Sequence, residues 1–182
     1  MPCTSEEYAE FSEFQKQYHA GEIAFGFDRA LAREFYTNIS AENIRKLVEE
    51  SPSLEKAIVM SLFVLPFLLL VSSLIVAGFV FRWWATLAIP LSATIFFVYY
   101  GISSRGNVGI FYISVILIGN IIFNYNNIQS SDLFHIYLLL LIASLFFSRL
   151  LYVSSSFFFR ALLLRNANAY IKFKEAIIIT RI

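Results

Sequence analysis

The sequence predicts an all-α membrane protein: four transmembrane helices arranged as two antiparallel hairpins, with a small, mainly helical cytosolic module able to hold one short strand pair. Three observations predict it. First, 58% of the 182 residues are hydrophobic and 15% are charged, and the mean hydropathy is +0.68. Water-soluble domains average about 45–50% apolar and about 25% charged residues. Second, four stretches (57–81, 83–102, 108–125 and 133–153) meet or approach the ~20 apolar residues that span ~30 Å of hydrocarbon. They are apolar on every face, unlike the one-sided stripe of a helix packed on a soluble core. Third, Lys and Arg are distributed unevenly between the two sides that four spans define.

These spans divide the chain into an N-terminal module (1–56), a transmembrane domain (57–153) and a C-terminal tail (154–182). In the module, Tyr8, Phe11, Phe14 and Tyr18 recur at helical spacing with acids between them, predicting an amphipathic helix that ends near Gly21. Ile23, Phe25 and Phe27 alternate in a strand-like run. Asp28 stands where an N-cap would open the helix "RALAREFY", and Ser40 would cap another over "AENIRKLVEE". Ser51-Pro52 reads as a helix start leading into the first span. The acidic N-terminal stretch lacks the basic region of a secretory signal, so insertion is expected to use 57–81. In the tail, "SFFFRALLLRNANAYIKFKE" is compatible with a helix and "AIIITRI" with a short strand. The strand-like runs 22–27 and 176–181 are expected to pair. Opposite charge favours this docking: residues 1–56 carry net −5 and residues 154–182 net +4.

With four spans, the N-terminus, the second connection and the C-terminus share one side, which holds 12 of the 14 Lys and Arg. The positive-inside rule makes that side cytoplasmic, the inner membrane being the location in a bacterium. Arg82, Trp83 and Trp84 then fall at the outer interface, as anchors between the first two spans: indoles at headgroup level and Arg82 snorkelling to phosphate. Tyr99 and Tyr100 would mark the inner interface, and Tyr125, His135 and Tyr137 the outer one.

Polar residues inside spans are the candidate functional positions. Ser73 with Ala77, and Ala88 with Ser92, have the small-xxx-small spacing that lets helices approach closely. Pro66 and Pro90 would kink their helices. Asn120 needs a partner on another helix. Ser144, Ser148, Arg149 and Tyr152 recur every three to four residues and form a candidate helix-contact or pore-lining stripe. Arg149, near the end of its span, is expected to snorkel to the inner interface.

No catalytic set is legible: no paired intramembrane acids, no GxSxG, HExxH or CxxC, no Walker A sequence and no GxGxxG. Cys3 is the sole cysteine, so no intramolecular disulfide is possible. His19 and His135 fall on opposite sides. A noncatalytic protein with neither cofactor nor metal is therefore expected. The acidic module excludes nucleic acid as a partner there. The expected function is a noncatalytic multi-pass subunit or scaffold, associated with the bilayer and with further copies or other membrane subunits. The rival is an oligomeric channel or pore-forming effector gated by the cytosolic module. A lipid-handling protein is a third reading.

Overall fold

A computed structural model describes residues 4–38, 53–102 and 132–182. The chain is mostly helical. In order it forms α1 (Ser5–His19), β1 (Ile23–Gly26), α2 (Arg29–Asn38), α3 (Ser53–Phe81), a 3-10 turn (Arg82–Trp84), α4 (Ala85–Ile102), α5 (Asp132–Arg165), α6 (Ala167–Phe173), a second 3-10 turn (Lys174–Ala176) and β2 (Ile178–Arg181). Two compact units emerge: Met1–Val59 with Ser154–Ile182, and Met60–Val153.

The first unit is built by local signals that a shared aromatic core then fixes. Thr4 caps α1 through a capping box. Its Oγ1 accepts from the Glu7 backbone N–H, and the Glu7 carboxylate accepts from the Thr4 N–H at 2.8 Å. That backbone donor holds the Glu7 carboxyl below its ordinary pKa. Gly21 supplies the positive φ (76°) that turns the chain out of α1. Asp28 accepts from the Ala30 N–H at 2.8 Å, opening α2 as its sequence suggests.

β1 and β2 pair antiparallel, Ile23 opposite Arg181 and Gly26 opposite Ile178. The strands are shorter than the runs 22–27 and 176–181; in the second run Ala176 belongs to the turn at Lys174–Ala176 and Ile177 caps it. An isolated two-stranded sheet is marginal in water. Here one face, Ile23 and Phe25, is buried. Phe25 stacks edge-on against Phe14 (5.3 Å) and Tyr18 (5.3 Å) of α1.

The core continues through both ends of the chain. Phe14 lies 4.6 Å from Tyr170 of α6. Phe35 of α2 lies 5.2 Å from Phe159 and 5.5 Å from Phe173, and Phe159 lies 5.1 Å from Phe173. Such pairs contribute about 0.5–1.5 kcal/mol each beyond their buried area. Polar ties complete the packing. Gln15 Nε2 donates to the Leu164 carbonyl (2.6 Å), and Arg160 donates to the Phe25 carbonyl (3.2 Å) while lying over the Phe25 ring. Charge plays a smaller part than the opposite nets suggest. Lys174–Glu10 is an exposed ion pair at 2.5 Å, in high-dielectric surroundings where such pairs gain little. The tail is also not one helix. It breaks at Asn166, whose extended backbone and side chain, accepting from the Ala169 N–H at 3.1 Å, start α6 afresh.

In the second unit, α3 and α4 fold back on each other about Arg82. A straight helix would separate Phe67 and Tyr100 by about 50 Å; their rings are 5.4 Å apart, and Phe67 also meets Phe96 at 5.5 Å. Arg82 makes the reversal by adopting φ 47°, unusual for a non-glycine residue. α5 packs on this hairpin. Tyr137, near its start, meets Phe81 (5.3 Å), and Tyr152, further along, meets Tyr100 (6.2 Å). α5 therefore runs parallel to α4 and antiparallel to α3. Leu70, Ala77, Phe96, Tyr137 and Leu141 form the buried centre.

Two helical stretches, Ser53–Gly101 and Asp132–Arg165, are long and apolar enough to cross a membrane. The expected span 108–125, the helix after Ser40, the Ser51-Pro52 start, Arg105, Asn120 and Tyr125 lie outside the described residues.

Candidate functional site

A set of polar residues of the second unit lies in its interior, whereas Ser61, Ser72, Thr86 and Thr94 are exposed. Ser73 of α3 and Ser144 and Ser148 of α5 have no exposed surface, Ser92 of α4 is 2% exposed and Arg149 is 3% exposed. Helical spacing explains the grouping on α5: residues 144, 148 and 152 are successive turns of one face, and that face is the one packed inward.

The hydroxyls are engaged locally. Ser73 donates to the Leu70 carbonyl (2.7 Å), Ser144 to the Leu141 carbonyl (2.7 Å) and Ser148 to the Leu145 carbonyl (2.8 Å). This back-bonding lets a hydroxyl enter an apolar interior without the cost of an unmet donor. Ser92 bonds the Ala88 carbonyl (2.7 Å) and also joins the Tyr137 hydroxyl at 2.6 Å. This last bond is a direct polar link between α4 and α5, and no periodicity in the sequence announces it.

The packing pair Ser73 and Ala77 is fully buried, and Ser92 is buried beside a partly exposed Ala88. Pro66 is buried inside α3 and Pro90 lies within α4. Arg149 departs from expectation. Rather than reaching outward, its side chain is enclosed, within Coulombic range of Tyr99. Tyr152 is itself 4% exposed. His135 is buried at 8% exposure with its ring against Phe134. The anchors are exposed, Trp83 at 93% and Trp84 at 71%.

A second constellation lies in the first unit and has no counterpart in the sequence reading. The Tyr36 hydroxyl, on a fully buried side chain, donates to Glu55 Oε2 at 3.2 Å. Burial, with the adjacent Glu55 carboxylate, pushes the Tyr36 phenol well above its ordinary pKa. Nineteen residues separate the two, so only the folded unit reveals the pair.

In this arrangement the serine hydroxyls bond helix carbonyls, the Tyr137 phenol meets Ser92, and the Tyr36 phenol meets the first turn of α3. Among the described residues no group of three His, Cys, Asp or Glu side chains is placed to hold a metal ion. No family model, curated protein or solved structure matches this chain.

Proposed function

We propose that this chain is a noncatalytic, multi-pass membrane subunit or scaffold that assembles with copies of itself or with other membrane proteins. The observation that carries the membrane part is the apolar exposed surface of the second unit, which also encloses several polar side chains. Ser73, Ser92, Ser144, Ser148 and Arg149 are inside, while Leu68, Val71, Ile75, Phe79, Leu91 and Ile95 are 45–71% exposed. In the most apolar windows of the two long stretches only 22% and 33% of residues are buried, whereas the core helix of a soluble protein is mostly buried. Hydrocarbon is the solvent that accepts such a surface.

The direction of the helices supports a reading with four crossings. Because α4 and α5 are parallel, Ile102 and Asp132 belong to opposite ends of the bundle. The intervening sequence contains the apolar run 108–125, long enough for the return. Both termini then share a side, and the Lys and Arg bias makes it the cytoplasm. The noncatalytic reading is supported by hydroxyls committed to helix carbonyls rather than to a base or a reacting atom. The assembly reading is supported by the economy of the fold, in which a bundle with few polar positions is joined to a module built from both chain ends.

The buried stripe of Ser144, Ser148, Arg149 and Tyr152 favours one alternative, an oligomeric channel gated by the module. One preparation separates the two. The purified chain is placed in lipid nanodiscs for native mass measurement and in liposomes for conductance. A defined oligomer or co-purified complex with silent liposomes supports the subunit. Ion flux from the chain alone supports the channel. A lone monomer, silent in liposomes, removes both.

A further inference from the structure

Two helices of the first unit present a large apolar side chain to solvent at one level. Tyr36 meets both helices there: its hydroxyl bonds Glu55 of α3 at 3.2 Å, and its ring lies 6.2 Å from that of Phe158 on α5. The residues just before these partners, Leu54 and Phe157, turn outward and are 73% and 69% exposed. Single apolar residues at a surface are ordinary, but Leu54 continues a longer feature. On α3 an exposed apolar stripe runs from Leu54 through Ile58, Val64, Leu68 and Ile75 to Phe79. No exposed charged residue interrupts it. At about 1.5 Å per residue, Leu54 lies about 37 Å along the axis from Phe79, and Phe157 about 36 Å from Leu133 on α5. Both lengths exceed the ~30 Å of hydrocarbon and fall within the ~40–45 Å that includes the headgroups.

One turn past Phe157, Arg160 is exposed, yet its guanidinium is held in place. It donates to the Phe25 carbonyl at 3.2 Å and lies 5.3 Å from the centre of the Phe25 ring. A guanidinium carries five donors, and this bond takes one. Its planar fork suits the oxygens of a phosphate. The segment around it carries the complementary charge, net +4 over residues 154–182, and cytoplasmic leaflets are anionic. An exposed phenylalanine at headgroup depth, followed one turn later by a fixed arginine, fits a phospholipid: glycerol and upper acyl chain on the ring, phosphate on the guanidinium.

We propose that Leu54, Phe157 and Arg160 form an interfacial site for an anionic phospholipid, so that the inner face of the bilayer reaches past the apolar runs 57–81 and 133–153. The proposal rests on the membrane reading above and names a lipid headgroup, rather than free phosphate, as the ligand.

The test uses the full chain with Cys3→Ser as background, in nanodiscs of phosphatidylcholine with or without phosphatidylglycerol. A nitroxide on Phe157→Cys is expected to be relaxed more by oxygen, which concentrates in lipid, than by a water-soluble nickel chelate. On Tyr8→Cys, at a residue of α1 that is 61% exposed, the order is expected to reverse. After mild-detergent extraction, native mass measurement is expected to show phosphatidylglycerol retained over phosphatidylcholine. Arg160→Gln is expected to cut that preference about fivefold, the equivalent of ~1 kcal/mol for one basic residue at an anionic surface. Arg160→Lys keeps the charge and is expected to keep the preference. Excess inorganic phosphate is expected to displace no lipid. The lipid site is overturned by a nitroxide at 157 that behaves like the one at 8, by a preference unchanged in Arg160→Gln, by an equal loss in Arg160→Lys, or by displacement with inorganic phosphate. Should Arg160→Gln unfold, the nitroxide at 157 still decides. A nitroxide on Leu68→Cys that favours the nickel chelate overturns the membrane reading itself.

Discussion

The Tyr36 hydroxyl donates to Glu55 Oε2 across 3.2 Å, joining α2 to the first turn of α3. The phenol has no exposed surface, so it cannot exchange Glu55 for water without opening the unit. Tyr36→Phe is expected to destabilise the unit by about 1–2 kcal/mol, read as earlier proteolysis of residues 5–38 under mild denaturant.

The same pair makes a pH prediction. The folded pKa of Tyr36 is raised above the unfolded value of about 10, so the folded state keeps a proton that the unfolded chain has released. Stability from this group is complete below about pH 10 and declines as pH rises further, because the unfolded state then binds fewer protons. Denaturant midpoints at pH 9 and pH 11 measure the loss. Tyr36→Phe is expected to show a smaller drop than the parent.

Arg82 holds φ 47° at the reversal between α3 and α4. Left-handed backbone costs a non-glycine residue on the order of 1–3 kcal/mol. Arg82→Gly is expected to raise the thermal midpoint in detergent. Arg82→Val, branched at Cβ, is expected to lower it. A hairpin indifferent to both would mean the turn is not held in that conformation.

Ser92 and Tyr137 bond at 2.6 Å between α4 and α5. Removing one partner leaves a buried hydroxyl unmet, at about 1–3 kcal/mol, whereas removing both removes the unmet group as well. A cycle of Ser92→Ala, Tyr137→Phe and the double variant is expected to be non-additive, the double costing less than the two single losses combined. Additive losses would place the two side chains out of contact.

Phe14 and Phe159 sit in the aromatic core shared by the two ends of the chain. Truncating either to Ala is expected to cost about 3–5 kcal/mol and to expose the N-terminal and C-terminal segments to protease together. Deleting residues 178–182 is expected to loosen residues 5–38 as well, since β1 then loses its only strand partner among the described residues. Release of one segment while the other stays resistant would contradict the shared core.

Much of the local structure is legible before any coordinates. The helix face Phe11, Phe14 and Tyr18, the Asp28 cap and the two strand-like runs are visible because each is written within a few residues, by spacing or by capping chemistry. Misreadings gather where a distant group decides the outcome. Arg149 reads as a snorkelling charge because the expected span 133–153 ends nearby, whereas its side chain is enclosed in the folded protein. Opposite net charges point to the right docking partners, yet rings rather than ions fill the contact. Short-range packing of apolar surface outweighs exposed charge in water.

By itself the sequence determined the apolar class of this chain, the helical character of the long runs 57–81, 83–102 and 133–153, and the place where α3 gives way to α4. Hydrophobicity and spacing are properties of neighbouring residues, so they need no fold to be read. Tertiary structure alone decided which residues meet: Tyr36 with Glu55, Ser92 with Tyr137, Phe14 with Tyr170, and Ile23 with Arg181 in the register of the two strands. Those pairings depend on the path of the whole backbone through space, and no window of the sequence contains both partners of any of them.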